Sequence, residues 1–231
     1  CSQDSRENSR SNIPATYSSP PDHKYYLKFG SGGDGGVKLD GLKIGVAITG
    51  SHCTLHEITE VMRRMVEEGA DLTPIVSYSV DTMDTRFGKA EEWRKKFEEI
   101  TNKKVIHTIP EAEPIGPQKK FDCLLIAPCT GNTLAKLANG ITDTPVLMAA
   151  KAHLRNQRPL VIAISTNDGL GLNARNIGTL LCTKNIYLVP FGQDSPATKA
   201  NSLVAHMEMI PETILMACEG KQIQPILVDY H

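Results

Sequence analysis

The sequence predicts an α/β fold, a parallel sheet with helices on both faces, forming a three-layer sandwich. Three observations lead there. Short apolar runs alternate with amphipathic stretches from Leu42 onward, the pattern of successive strand–helix–strand units joined by right-handed crossovers. Several runs are apolar throughout rather than alternately, as strands buried on both faces are. The residues just beyond four of the runs are Gly, Ser, Thr and Asn, at the strand ends where open α/β sheets hold ligands.

The elements follow in order. KIGVAI (43–48) ends at Thr49-Gly50 and reads as a buried parallel strand. A helix follows with apolar positions 55, 58, 62 and 65, closed by Gly69. LTPIVS (72–77) is a second strand, with Pro74 suggesting a sheet edge or an early strand position. A charged helix is expected around 89–101, and KVIHTI (104–109) reads as the third strand. After a proline-rich loop comes CLLIAP (123–128), then helices around 131–140 and 145–156, then LVIAIS (160–165). A helix near 174–182, the strand IYLVP (186–190), a helix near 211–219 and the strand QPILV (224–228) complete the prediction.

Residues 1–38 are of another kind. They are rich in Ser, Pro, Gly and Asn and lack periodicity, which reads as a flexible extension or an expression remnant. The prediction is therefore a single domain over 39–231.

Composition narrows the function classes. At 231 residues with 40% hydrophobic side chains, the chain can bury one sizeable core. A net charge of −1 gives no electrostatic footprint for nucleic acid. The run Arg94-Lys95-Lys96 lies among Glu91, Glu92, Glu98 and Glu99 and reads as a solvated helix face. The six cysteines (1, 53, 123, 129, 182 and 218) form no CxxC pair or regular framework, pointing to a reducing compartment. No apolar run is long enough to span a membrane and no signal-like segment opens the chain, so a cytoplasmic protein is expected.

The strand ends carry the chemistry. TGSHCT (49–54), Ser77, PCTGNT (128–133) and STNDGLG (165–171) offer hydroxyls, backbone N–H groups and helix N-termini, which together suit a phosphate. At any one junction such residues are explained as N-caps; four junctions on one edge favour a nucleotide-like cofactor. GxGxxG and GxxxxGK[ST] spacings are both missing, which argues against a dinucleotide site or a P-loop. His52, Cys53 and His56 have metal-ligand chemistry but no HExxH glutamate, so no metal is expected; His52 is assigned to the pocket and His56 to the surface. Ser51 and Cys129 lack an evident base for nucleophilic work. Arg86, Lys151, Arg155 and Arg158 are the cations available to anchor carboxylates.

A strand ending in TGS, a serine after the second strand, and P-x-T-x-NT-x-AK-x-ANGI-x-D over 128–143 resemble the homo-oligomeric flavin-containing Cys decarboxylase superfamily of FMN-binding flavoproteins. The resemblance covers about residues 42–190. It implies a Rossmann-like (flavodoxin-like) fold with bound FMN. By position, Gly50, Ser51 and Ser77 would hold the FMN phosphate with the first helix N-terminus. Thr130, Asn132 and Thr133 would border the isoalloxazine and substrate, and Ser165, Thr166 and Asn167 would complete the cradle. One departure counts: where the decarboxylases carry their active-site histidine, this chain has Pro114.

TGSHCT, TRFG (85–88), AEPIGP (112–117), ISTNDGLGLN (164–173), TKNIYLVPFGQD (183–194) and QPILV further resemble one branch of these flavoproteins. It implies a homo-oligomeric flavoprotein-like subunit working with a Rossmann-type partner that carries NAD(P). Together they would oxidise a small dicarboxylate, dihydrodipicolinate, to dipicolinate in the mother cell of a sporulating bacterium. Aromatising a dihydropyridine needs a positioned oxidant more than strong acid or base help. Arg86 would meet the dianion and His52 would accept the ring proton. Two alternatives stay open: a non-catalytic subunit without flavin, and another FMN enzyme such as a decarboxylase or flavin prenyltransferase.

Overall fold

The computed structural model describes residues 39–229; the extension read at residues 1–38 lies outside them. Among the described residues, seven strands form one mostly parallel sheet. They are β1 (Lys43–Ile48), β2 (Asp71–Val76), β3 (Cys123–Cys129), β4 (Leu160–Thr166), β5 (Ile186–Leu188), β6 (Phe191–Gly192) and β7 (Leu203–Ala205). The hydrogen-bonded order is β2-β1-β3-β4-β7-β6, with β5 also on β4. All seven residues of β3 and the first six of β4 are buried, as central strands covered on both faces should be.

The helices are α1 (Leu55–Glu67), α2 (Tyr78–Thr82), α3 (Ala90–Thr101), α4 (Ile109–Ala112), α5 (Gly131–Ala138), α6 (Pro145–Leu154), α7 (Ala174–Leu181) and α8 (Ile210–Cys218). In α1 the buried side chains Leu55, Ile58, Met62 and Met65 fall on one stripe, and the helix ends at Gly69, whose φ is +92°. Thr130 and Thr144 cap α5 and α6, their hydroxyls accepting from the N–H groups of Thr133 and Leu147. Helix α1 packs on α3, α5 on α7, and α8 on β3, β4 and β5.

Three sequence expectations change. KVIHTI is not a strand; only Ile106 pairs, against Ile75 of β2. Pro74 supplies a reason, because it sits in mid-strand. Its carbonyl accepts from Ile106 N–H and Val76 N–H donates to Ile106 O, so this edge of β2 lacks the N–H that another residue would have supplied for continued pairing. QPILV likewise contributes one bridge, Leu227 to Phe191. IYLVP pairs only through Ile186–Leu188.

The end of β4 also departs from a simple parallel sheet. Its first residues pair in parallel with β5, Leu160↔Ile186 to Ile162↔Leu188. Its last two pair antiparallel with β7, Ser165↔Val204 and Thr166↔Leu203. The short β6–β7 hairpin therefore lies against the carboxyl end of β4, within reach of the polar strand ends.

Candidate functional site

The carboxyl ends of β2, β1, β3 and β4 lie side by side in that order, so the four polar segments meet on one edge of the sheet. Buried Thr49 ties the two central ends together. Its hydroxyl donates to Pro128 O at 2.6 Å and accepts from Thr130 N–H at 3.0 Å. Ser51 reaches past β3, its hydroxyl 2.8 Å from that of Ser165, with Thr54 3.1 Å from Ser51 and 3.2 Å from Ser165. Ser77, at the end of β2, lies 3.0 Å from Ser79. These hydroxyls come from neighbouring strand ends, and none of them carries a formal charge.

Glycines let the backbones approach. A Cβ at Gly50 would lie 2.5 Å from Ser79 Oγ. One at Gly131 would lie 2.6 Å from both Thr166 Oγ1 and Asn173 Nδ2. The second contact joins the first turn of α5 to the loop after β4. That loop is organised by Asp168, which accepts from Leu172 N–H at 3.1 Å and Asn173 Nδ2 at 3.2 Å. Asp168 N–H donates to Thr166 Oγ1, and Asn176 Nδ2 donates to Asn173 Oδ1.

The predicted residues divide accordingly. Ser51 contacts Ser165, Thr130 contacts Thr133 at 3.1 Å between hydroxyls, Ser77 contacts Ser79 beside Gly50, and Thr166 accepts from Asp168 N–H, so the predicted residues form neighbouring groups along the edge. Asn132 and Asn167 stand exposed at their ends of α5 and β4. His52 is half-buried in a short 3-10 turn before α1; its Nδ1 is buried without a hydrogen-bond partner among the described residues, and burial holds its pKa below the usual histidine value. His56 is exposed, its ring edge-on to Trp93 at 4.9 Å. Arg86 is exposed in the Thr85–Gly88 turn, its guanidinium 4.8 Å from the Phe87 ring centre. No contact joins it to the hydroxyl cluster among the described residues.

Three of the candidate cations belong elsewhere. Lys151 lies on α6, Arg155 caps it, and Arg158 follows in the segment leading to the start of β4, at the opposite edge of the sheet. Arg158 donates to the carbonyls of Lys119 and Phe121 and lies 3.5 Å from Asp122. Cys129 is fully buried, which pushes its thiol pKa far up and removes it as a nucleophile.

Sequence reading collected Thr49, Thr54 and Asp168 within the segments 49–54 and 165–171 without giving them a role, and it missed Ser79, which extends the cluster, and Asn173, which shapes the loop. It also missed a recess of about 250 Å³ beside Ser51 and Ser165, walled by Glu57 of α1 and by Asp194, Lys199 and Ser202 of the β6–β7 connection. Thr49 and Asp168 had a signal, being polar residues at a strand end and in a Gly-rich loop. The hairpin had none, because strands of two and three residues carry no periodicity.

The donor set fits a flavin mononucleotide. Neutral hydroxyls gathered at neighbouring strand ends suit a phosphate that brings its own charge, and the glycines let the strand-end loops pack closely there, Gly50 on Ser79 and Gly131 on Thr166 and Asn173.

A family model described as Flavoprotein matches residues 36–219. The chain is 51% identical to the B subunit of dipicolinate synthase from Bacillus subtilis (strain 168) over 191 residues, 83% of this chain and 96% of that one. The crystal structure of the corresponding dipicolinate synthase chain from Bacillus halodurans C superposes with a TM-score of 0.78 at 52% identity, covering 84% of this chain and all of that one. A PPC decarboxylase mutant complexed with pantothenoylaminoethenethiol superposes at 0.58 with 19% identity, over 77% of this chain and 98% of its own. That likeness speaks for the fold alone.

Proposed function

The chain belongs to the Flavoprotein family, and from that premise we propose that it is the FMN-binding subunit of a dipicolinate synthase. The observation that carries the reading is the 51% identity to the Bacillus subtilis protein over nearly its whole length. The clustering of hydroxyls from neighbouring strand ends supports the cofactor. The domain over residues 39–231 would do this work as part of a homo-oligomer, in the mother-cell cytoplasm, with the A subunit of dipicolinate synthase supplying NAD(P).

In this reading Gly50, Ser51, Ser77 and the N-terminus of α1 hold the FMN phosphate. Thr130, Asn132 and Thr133 border the ring and substrate, and Ser165, Thr166 and Asn167 complete the cradle. When bound, the flavin would supply a two-electron oxidant beside the dihydropyridine. The chain's own part is to orient the substrate and receive a proton. His52 is assigned the second role from its place in the turn after β1. Arg86 is assigned to the substrate dianion. Pro114 is exposed in a 3-10 turn at the position of the decarboxylase histidine, so the chain offers no side-chain base there.

The test is reconstitution. The purified chain, its NAD(P)-binding partner and both together are assayed for conversion of dihydrodipicolinate to dipicolinate. Turnover that requires both chains, and that falls at least about tenfold with His52→Ala, is expected; general acid–base groups typically contribute roughly 100-fold or more. Full turnover by the partner alone, or decarboxylation of a cysteinyl peptide by this chain alone, rules the reading out.

A further inference from the structure

At the amino edge of the sheet, the first residues of β1 and β2 and the segment before β3 surround a recess of about 320 Å³. Four lysines line it, Lys43, Lys103, Lys119 and Lys120, against one carboxylate, Asp71. The recess at the carboxyl edge has the opposite balance, Lys199 with Glu57 and Asp194. Strand β1 separates the two edges by about 17 Å, so a ligand in the hydroxyl cluster does not occupy this recess. Lys103 is accounted for within the chain: its Nζ pairs with Asp71 and donates to the buried Thr73 Oγ1 at 3.1 Å. Among the described residues no carboxylate pairs with the side chains of Lys43, Lys119 or Lys120. Nearby Asp122 is engaged by other donors, Lys43 N–H at 3.0 Å and Arg158 at 3.5 Å. Three uncompensated positive charges therefore border one concavity, in a chain whose net charge is −1. Their mutual repulsion is what a bound anion would relieve.

The wall is held in place without a ligand. Arg158 donates to the carbonyls of Lys119 and Phe121, which pins the segment between them. Lys119 stands at φ +46°, in the left-handed region that favours glycine, and its N–H donates to Gly116 O at 3.1 Å. Lys120 N–H donates to Ile115 O at 3.3 Å, and its Nζ lies 5.7 Å from the Phe121 ring centre. A backbone fixed in advance costs less to order on binding. The lining also narrows the ligand. Lysines offer point charges rather than the planar fork of arginine, which suits phosphoryl oxygens. Two linked phosphoryl groups carry enough charge to meet three ammonium groups, and one does not. Phe121 is only 1% exposed, so the recess offers no ring face on which a nucleobase could stack.

We propose that this recess is a second anion site, in which Lys43, Lys119 and Lys120 bind a diphosphate-type polyanion beside the fixed Lys103. The inference goes beyond the function proposed above and does not depend on it, because its residues lie at the other edge of the sheet.

The test is calorimetric titration of the full chain with inorganic pyrophosphate, in excess FMN and without divalent cations. A single site per chain is expected, favouring pyrophosphate over orthophosphate by about tenfold or more and weakening as salt is raised. The double variant Lys119→Met, Lys120→Met should weaken pyrophosphate by about tenfold or more, with FMN binding and the ligand-free melting temperature unchanged. Lys43→Met, on a different element, should act in the same direction, and Lys119→Arg with Lys120→Arg should keep most of the binding. ADP, which carries the same diphosphate, should bind no more tightly than pyrophosphate. Ser51→Ala should leave pyrophosphate binding as it is. Absence of uptake by the wild type overturns the inference, and so does uptake that is the same in the double variant and in Lys43→Met. A clear preference for ADP overturns the assignment to the bare anion. Loss of pyrophosphate in Ser51→Ala moves the anion to the carboxyl edge and overturns it as well. Each of these results leaves the proposed function standing, and a chain that takes up pyrophosphate but no FMN fails that function alone.

Discussion

The two edges of one sheet are built from opposite materials. At the amino edge several charges pair within the chain, beside a recess lined by Lys43, Lys103, Lys119 and Lys120. Lys103 pairs with Asp71, Arg158 with Asp122, and Asp122 also accepts from Lys43 N–H at 3.0 Å. His153 is buried there, its Nε2 3.0 Å from Pro159 O, and burial pulls its pKa down to about 4. At the carboxyl edge, serines and threonines bond to one another and formal charge is confined to the rim. An edge of uncharged donors suits a ligand that carries the charge.

Five substitutions would break or sharpen that contrast. The largest effect is expected from Gly131→Val. Its Cβ alone would sit 2.6 Å from Thr166 Oγ1 and Asn173 Nδ2, so the α5 turn must leave the β4 loop. Flavin affinity measured by fluorescence should fall about a thousandfold, roughly 4 kcal/mol. Near-wild-type affinity would mean the cradle lies elsewhere.

The next effect belongs to the amino edge. The folded-state pKa of His153 lies near 4, below the unfolded value near 6.5. As pH falls below about 6.5 the unfolded chain takes the proton first, so stability drops between about pH 6.5 and 4. The loss amounts to up to about 3 kcal/mol. His153→Phe should flatten urea unfolding profiles across that window. The Pro159 carbonyl keeps its bond from Leu124 N–H, so the substitution need not orphan it. An unchanged pH slope would contradict the assignment.

Ser51→Ala and Ser165→Ala come third. Each should weaken FMN binding by about tenfold, in line with roughly 1–1.5 kcal/mol per hydrogen bond. Because their hydroxyls lie 2.8 Å apart, the double variant should cost less than the two singles together. Strict additivity would mean they act on separate parts of the ligand. The smallest effect is expected from Arg158→Met, at about 1 kcal/mol of stability with FMN affinity unchanged. A change in FMN affinity there would erase the distinction between the edges.

Much of the fold and part of the site were legible in the sequence, for physical reasons. The central strands β3 and β4 announce themselves because burial on both faces demands unbroken apolar runs. Ser51, Ser77, Thr130 and Ser165 could be collected because a parallel sheet puts all its strand ends on one edge. Reading failed where pairing depends on a partner rather than on pattern. KVIHTI has the letters of a strand, yet Pro74 on its neighbour leaves it one bridge. Asp194, Lys199 and Ser202 lie in a polar loop, and only the antiparallel seat of β7 on β4 brings that loop beside Ser51 and Ser165. Arg158 shows the reverse case, a cation of suitable chemistry whose place just before β4 delivers it to the wrong edge.

The uncharged carboxyl edge stands or falls as an FMN cradle. Titrating the purified full chain with FMN, and following quenching of flavin fluorescence together with the visible absorption bands, tests it most directly. Saturation near one FMN per chain, lost in Gly131→Val and kept in Arg158→Met, is the predicted result. A chain that takes up no FMN, or one whose uptake ignores Gly131, contradicts it.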